Sequence, residues 1–153
     1  MLLFLDTEFT DLIPGNKLIS IALVDEHEDF FYAELTDTYE LADCSDFVKS
    51  FILPFLRGGE YKMPYNECAL KIVDWIENRN CECIIASDAP GWDMPHLNRL
   101  LKSLWPDNLQ KNMVFPVCIS EIDEECIRLE NIYDIHNALH DALTMKKVVM
   151  FDK

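Results

Sequence analysis

The sequence predicts one α/β domain over residues 1–153, with a mixed five-stranded sheet in which three antiparallel strands are extended by parallel ones and helices cover both faces. Three observations carry this. The first 35 residues hold three short apolar runs joined by turn signals. Hydrophobic spacing then changes to the period of a helix, and two further short apolar runs fall between the helical stretches.

The elements follow in order. Residues 2–5 (LLFL) form a continuous apolar run, the pattern of a strand buried on both faces. Residues 17–24 (KLISIALV) form a second, after a loop with the turn dipeptide Pro14-Gly15. The polar cluster 25–29 turns the chain into a third, residues 30–35 (FFYAEL), and connections this short suit an antiparallel meander. Ser45 is placed to cap a helix through Phe47, Val48, Phe51 and Ile52, which Pro54 kinks or ends. Between residues 64 and 79, Ala69, Ile72, Val73 and Ile76 recur at helical spacing. A buried strand is expected at 83–86, a helix at 93–105 with Leu97, Leu100, Leu101 and Leu104 on one face, and a fifth strand at 113–119, at an edge because of Pro116. A closing helix runs from Ala138 to about Met150; a short helix within 121–131 is the weakest expectation.

A chain of 153 residues buries roughly 70% of its unfolded surface and needs no disulfide or structural metal to hold a core. Its 13 Lys+Arg against 28 Asp+Glu give a net charge of −15, which repels polyanions at long range and excludes nucleic-acid binding through a broad basic face. An acidic chain still acts on nucleic acid where bound cations cancel the local charge. Six cysteines show no CxxC pair and no zinc spacing, so they read as small buried hydrophobes in a reducing compartment. No apolar run approaches the ~20 residues of a membrane span, and the apolar start meets Asp6 too early for a signal peptide. The expectation is a soluble, cytoplasmic protein with no membrane partner.

Asp6-Thr7-Glu8 ends the first buried strand. Residues two apart on a strand point to one side, so the two carboxylates converge, and each raises the other's pKa unless a cation lies between them. In so acidic a chain, a solvated strand end is the plain alternative. In His136-Asn137-Ala138-Leu139-His140-Asp141, Asn137 is a helix cap that sets Asp141 in the first turn and His136 in the loop before it. Asp93 lies at the start of the third helix, after Ser87-Asp88. Singly, each has an ordinary explanation as a turn, cap or first-turn acid. Together, strand ends and helix starts bring Asp6, Glu8, Asp93 and Asp141 into one cleft. Four carboxylates there call for two divalent cations, and oxygen ligands suit Mg²⁺ or Mn²⁺.

These motifs resemble the DEDD superfamily of 3′–5′ exonucleases, which has a ribonuclease H-like fold. LDTEFTDL (5–12) resembles its first motif, SDAPGWD (87–93) its second and HNALHD (136–141) its third, in the histidine branch. The run of strands is similar to a compact bacterial exoribonuclease group within that branch. The resemblance implies that Asp6, Glu8, Asp93 and Asp141 hold two metals, with Asp6 bridging, and that His136 is the general base. It further implies Thr7, Thr10 and Leu12 as contacts to the terminal nucleotide, and release of nucleoside 5′-monophosphates from a nucleic acid 3′ end. RNA is favoured over DNA, single-stranded or overhanging. Two positions depart from the pattern: Asp11 stands where many relatives have Gly, and Asp88 where Asn is frequent.

Other residues read plainly from the sequence: His27 in a hairpin turn, His96 on a helix surface, His140 structural, and Trp75, Trp92 and Trp105 as core anchors. Arg99, Lys102, Lys146 and Lys147 are either phosphate contacts or solvated helix faces. Relatives are often homodimers, and Phe30-Phe31-Tyr32 reads either as an edge used that way or as a buried face. Rival readings are a non-catalytic nucleotide- or partner-binding module on the same fold, a DNA-directed exonuclease, and an acidic mimic of nucleic acid.

Overall fold

The structure, a computed structural model, describes residues 1–119 and 136–151; the expected short helix at 121–131 lies outside these. Among the described residues six strands form one sheet: β1 (Leu2–Phe9), β2 (Leu18–Asp25), β3 (Phe30–Leu35), β4 (Lys62–Met63), β5 (Cys83–Ser87) and β6 (Leu109–Pro116), in the order β4-β3-β2-β1-β5-β6. β1, β2 and β3 pair antiparallel, and β5 and β6 continue the sheet parallel to β1. The helices are α1 (Asp46–Phe51), α2 (Tyr65–Glu77), α3 (Pro90–Leu101) and α4 (Ala138–Phe151).

The expected five strands are six among the described residues. β4 is two residues long and pairs parallel with Glu34 and Leu35, too short to leave a periodic signal. The expected strand at 113–119 lies earlier, at Leu109–Pro116: Leu109 pairs beside Cys83, and Pro116, which cannot donate to a ladder, closes the strand at the sheet edge. The helix expected at 93–105 begins instead at Pro90, whose fixed φ suits a first helical turn, and is followed by a 3₁₀ turn over Lys102–Leu104.

Side-chain alternation divides the core. Leu3 and Leu5 of β1 join Ile21, Leu23, Ile72, Ile76, Leu97 and Leu101 on the face covered by α2 and α3. Phe4 joins Ala22, Val24, Tyr32, Ala86, Leu139, Ala142 and Met145 under α4. Helices therefore do cover both faces. Ser45 caps α1 as expected, its Oγ accepting from the Val48 amide at 3.3 Å. Phe31 and Tyr32 belong to opposite cores, so this segment reads as buried faces; only Phe30 of the three is exposed. Among the described residues five cysteines are free, three of them buried, and no helix is long and apolar enough to cross a membrane.

Candidate metal centre at the ends of β1 and β5

β1 and β5 run parallel, and the acidic residues gather toward their carboxyl ends, where loops leave the sheet. Asp6 and Glu8 follow Phe4 at two-residue intervals and so face α4; their partners across β2 are Ala22 and Ser20, small enough to leave room. Asn137 caps α4, its Oδ1 accepting from the Leu139 amide at 3.1 Å, and the Asp141 amide makes a helical bond to the Asn137 carbonyl at 3.0 Å. This sets Asp141 over β1, and oxygens of Asp6, Glu8 and Asp141 lie within 4.8 Å of one another.

A second group shares Asp6. Oxygens of Asp6, Asp88 and Asp93 also lie within 4.8 Å of one another. Asp93 comes from the opposite face of the sheet and is held there by two hydroxyls. Thr7 Oγ1, pointing away from Asp6 and Glu8, donates to Asp93 Oδ1 at 2.6 Å, and Ser87 Oγ donates to Oδ2 at 2.6 Å. Ser87 Oγ in turn accepts from the Ala89 amide at 3.1 Å. The four carboxylates read from the sequence do meet, with Asp88 as a fifth.

The carboxylates are crowded and desolvated, which opposes their ionisation unless a cation is bound. Burial, then repulsion from Asp141, Asp93, Glu8 and Asp88, hold the Asp6 carboxyl well above the ordinary carboxylate range. Glu8 is pushed up to about 8 by burial first and then by Asp141 and Asp93. Asp93 rises to about 6 through burial, against the lowering effect of its two hydroxyl donors. Asp88 is raised by desolvation as well. As a residue Asp6 is half-buried, but its Oδ2 is sealed from solvent with no hydrogen-bond partner. A buried carboxylate oxygen without a donor is costly, and a divalent cation between these oxygens would satisfy it. The donor set, all hard oxygen, fits Mg²⁺ or Mn²⁺.

His136 sits two residues before α4 in the left-handed region (φ 65°), a conformation that His tolerates better than most residues. Its ring packs edge-on to Phe47 at 5.1 Å between centroids, so α1 helps to fix it. The other residues carried over from the motifs divide. Leu12 protrudes, 69% exposed, on a loop where Asp11 Oδ1 accepts from the Leu12 amide at 2.8 Å; Asp11 therefore has a local turn role. Thr7 serves Asp93. Thr10 is buried, its hydroxyl accepting from the Lys17 amide at 3.0 Å, which closes the β1–β2 connection.

Two expectations change. His96 is buried, stacked on Phe9 and 2.9 Å from an Arg99 Nη2; burial, then Arg99, lower its pKa to about 4, so it is a neutral acceptor. Trp92 is 38% exposed and stacks on Phe9 at 5.6 Å instead of anchoring the core. Of the basic residues considered for phosphate contact, Arg99 is engaged by His96, and Lys146 Nζ reaches Glu28 at 2.9 Å.

The start of α4 is held by a polar network that no motif marks. Buried Glu34 accepts from the Tyr32 hydroxyl at 2.8 Å and from the amides of Arg57 at 2.5 Å and Gly58 at 2.9 Å. Asn137 Nδ2 donates to the Tyr32 hydroxyl at 3.3 Å and to the Phe55 carbonyl at 3.2 Å, and Arg57 Nη2 lies 2.9 Å from His140 Nε2. Asn137 and His140 thus tie down the neighbours of His136 and Asp141, in keeping with the structural role read for His140. Glu34→Ala leaves three donors short of an acceptor and is expected to cost roughly 2–4 kcal/mol, read as a lower urea midpoint, with Glu34→Gln losing less.

No protein-family model matches the chain, and no curated protein matches it.

Proposed function

We propose that this chain is a metal-dependent 3′–5′ exonuclease with a ribonuclease H-like fold, acting on RNA ends and releasing nucleoside 5′-monophosphates. One observation supports it above all. Carboxylates from three distant segments, Asp6 and Glu8, Asp93, and Asp141, converge as two oxygen clusters that share Asp6. Paired sites with a common carboxylate suit in-line displacement at phosphorus, and the order of the motifs is that of the histidine branch of the DEDD exonucleases.

When bound, a pair of Mg²⁺ or Mn²⁺ ions supplies an acidified water and neutralises charge on the leaving 3′-oxygen. Asp6, Glu8 and Asp141 would hold one, and Asp6 and Asp93 the other. Thr7 and Ser87 fix the Asp93 carboxylate so that its oxygens face the cleft. His136 takes the proton of the attacking water on an imidazole nitrogen, a task suited to a neutral imidazole near pH 7. Leu12, exposed on the loop after β1, would meet the terminal base if the motif resemblance holds at that position. A surface of net charge −15 favours a short single-stranded end, held mainly through the cations, over a long duplex needing many phosphate contacts.

The test is a 5′-labelled single-stranded RNA and its DNA counterpart, incubated with Mg²⁺, Mn²⁺ or EDTA. The expected result is a metal-dependent ladder shortening from the 3′ end, faster on RNA, and lost in Asp141→Asn with the fold retained. Retained activity in Asp141→Asn overturns the assignment. No shortening by folded wild-type protein with either metal leaves the non-catalytic module, and DNA shortened faster than RNA selects the DNA-directed enzyme.

A further inference from the structure

We propose that Asp88 is a ligand to the second cation, so that the Asp6–Asp88–Asp93 side of the cleft takes up a divalent ion before any nucleic acid arrives. This deepens the metal-dependent reading above and rests on it. The placement comes from the turn: Asp88 follows Ser87, the last residue of β5, and precedes the Ala89-Pro90 start of α3. Three oxygens, one each from Asp6, Asp88 and Asp93, lie within 4.8 Å of one another. On one octahedral ion with ~2.1 Å metal–oxygen bonds, oxygens stand ~3.0 Å apart at adjacent corners and ~4.2 Å apart at opposite ones, so the three would draw together by up to about 2 Å, a movement that the exposed Asp88 side chain is the freest to make. Independently, Asp6 carries a buried oxygen with no hydrogen-bond partner.

What Asp88 adds follows from how Asp93 is occupied. Each Asp93 oxygen already accepts a hydroxyl at 2.6 Å, which leaves it less free to bind an ion in bidentate fashion. Without Asp88 the second site has Asp6, shared with the first ion, and a hydrogen-bonded Asp93, and it depends on substrate phosphate for further charge. With Asp88 it has three carboxylates from the protein, and the number of charged ligands is the main lever on affinity for hard cations. Five carboxylates against two dications leave one residual negative charge. The site therefore gives up some attraction for phosphate and gains an ion already in place.

Metal-free protein is titrated with Mn²⁺ in the absence of nucleic acid, and free Mn²⁺ is read by its electron paramagnetic resonance signal. Wild type is expected to bind two ions per chain. In Asp88→Asn one ion keeps its affinity and the other weakens by more than about tenfold, while in Asp141→Asn the Asp88-side ion remains. Asp88→Ser, with an unchanged circular dichroism spectrum, should repeat the loss and exclude an effect of the Asn amide. Two ions bound by Asp88→Asn at wild-type affinity overturn the proposal, as does a wild type that takes its second ion only after a short RNA is added. The count does not depend on turnover. Two ions bound without RNA shortening would refute the exonuclease and leave this site standing; shortening by wild type, with an unaltered count in Asp88→Asn, would refute this site alone.

Discussion

Asp6→Asn is expected to stop RNA shortening and at the same time to make the metal-free protein more stable. Asp6 is the carboxylate common to both oxygen clusters, so its loss weakens both ions together. Electrostatic stabilisation by such ions amounts to several kcal/mol, and a loss of about 4 kcal/mol corresponds to ~10³-fold in rate. Stability should move the other way. Ionisation of Asp6 is strongly opposed, since its carboxyl is enclosed and faces Asp141, Asp93, Glu8 and Asp88. An Asn there has nearly the same volume, carries no charge, and offers an amide N–H₂ to the neighbouring carboxylates. Melting in EDTA should rise by a few degrees, since ~1 kcal/mol shifts a chain of this size by roughly 2–4 °C. A variant that is inactive and also less stable than wild type in EDTA would mean that Asp6 holds the fold, and the cation-site reading of the cluster would fail.

The parts of the molecule visible in the sequence were those whose signal is local. The β1–β3 meander shows because its strands are consecutive, apolar and separated by turn residues, and Ser45 and Asn137 show because a cap is a one-residue device. β4 leaves no mark, since two residues cannot display a period. The surface position that the sequence predicts for His96 fails because its partners, Phe9 on β1 and Arg99 one turn on, are fixed by the docking of α3 and not by its own position in the helix. Trp92 was misplaced for the same reason.

The cleft divides along the same line. Asp6 and Glu8 can be paired on strand alternation alone, but their meeting with Asp93 requires two faces of the sheet to contribute at one strand end. Only the order of the motifs hinted at this. Ser87 and Thr7 as donors to Asp93 were legible in principle, each lying on a strand end next to an acid, and the sequence reading gave Thr7 a different task. The Glu34–Tyr32–Asn137 network leaves no mark in the sequence. Glu34 looks like any acid in an acidic chain until Arg57, Gly58 and Tyr32 are found around it.

Without metal, stability should fall as pH rises from about 5 to about 8, the three raised carboxyls outweighing the opposite effect of His96, whose lowered pKa of about 4 favours the folded chain as pH rises to about 6.5, and added Mg²⁺ or Mn²⁺ should restore more stability at the upper end of this range than at the lower. The sign follows from the direction of the shifts. Glu8 and Asp93 titrate at about 8 and about 6 in the folded chain, above their ordinary values of 4.5 and 3.8, and Asp6 is raised as well. Below the ordinary values both folded and unfolded chains hold these protons, and the cluster has no effect. Between the ordinary and the raised values the unfolded chain releases protons that the folded chain keeps, so each pH step favours unfolding until the folded carboxyls ionise. A cation reverses this by binding the ionised form. At a free concentration one hundred times its Kd, one ion adds about 2.7 kcal/mol, or roughly 5–10 °C for this chain. Near pH 5, protons compete for the same oxygens and the gain should shrink to a few degrees or less. Thermal melts at fixed ionic strength in EDTA and in each metal would test this, with Asp6→Asn as the control that flattens the EDTA curve. A metal-free melting temperature that stays level across this range would show that the fold does not hold these carboxyls protonated, and a metal-induced gain as large at pH 5 as at pH 8 would show that they are not the groups that bind the ion.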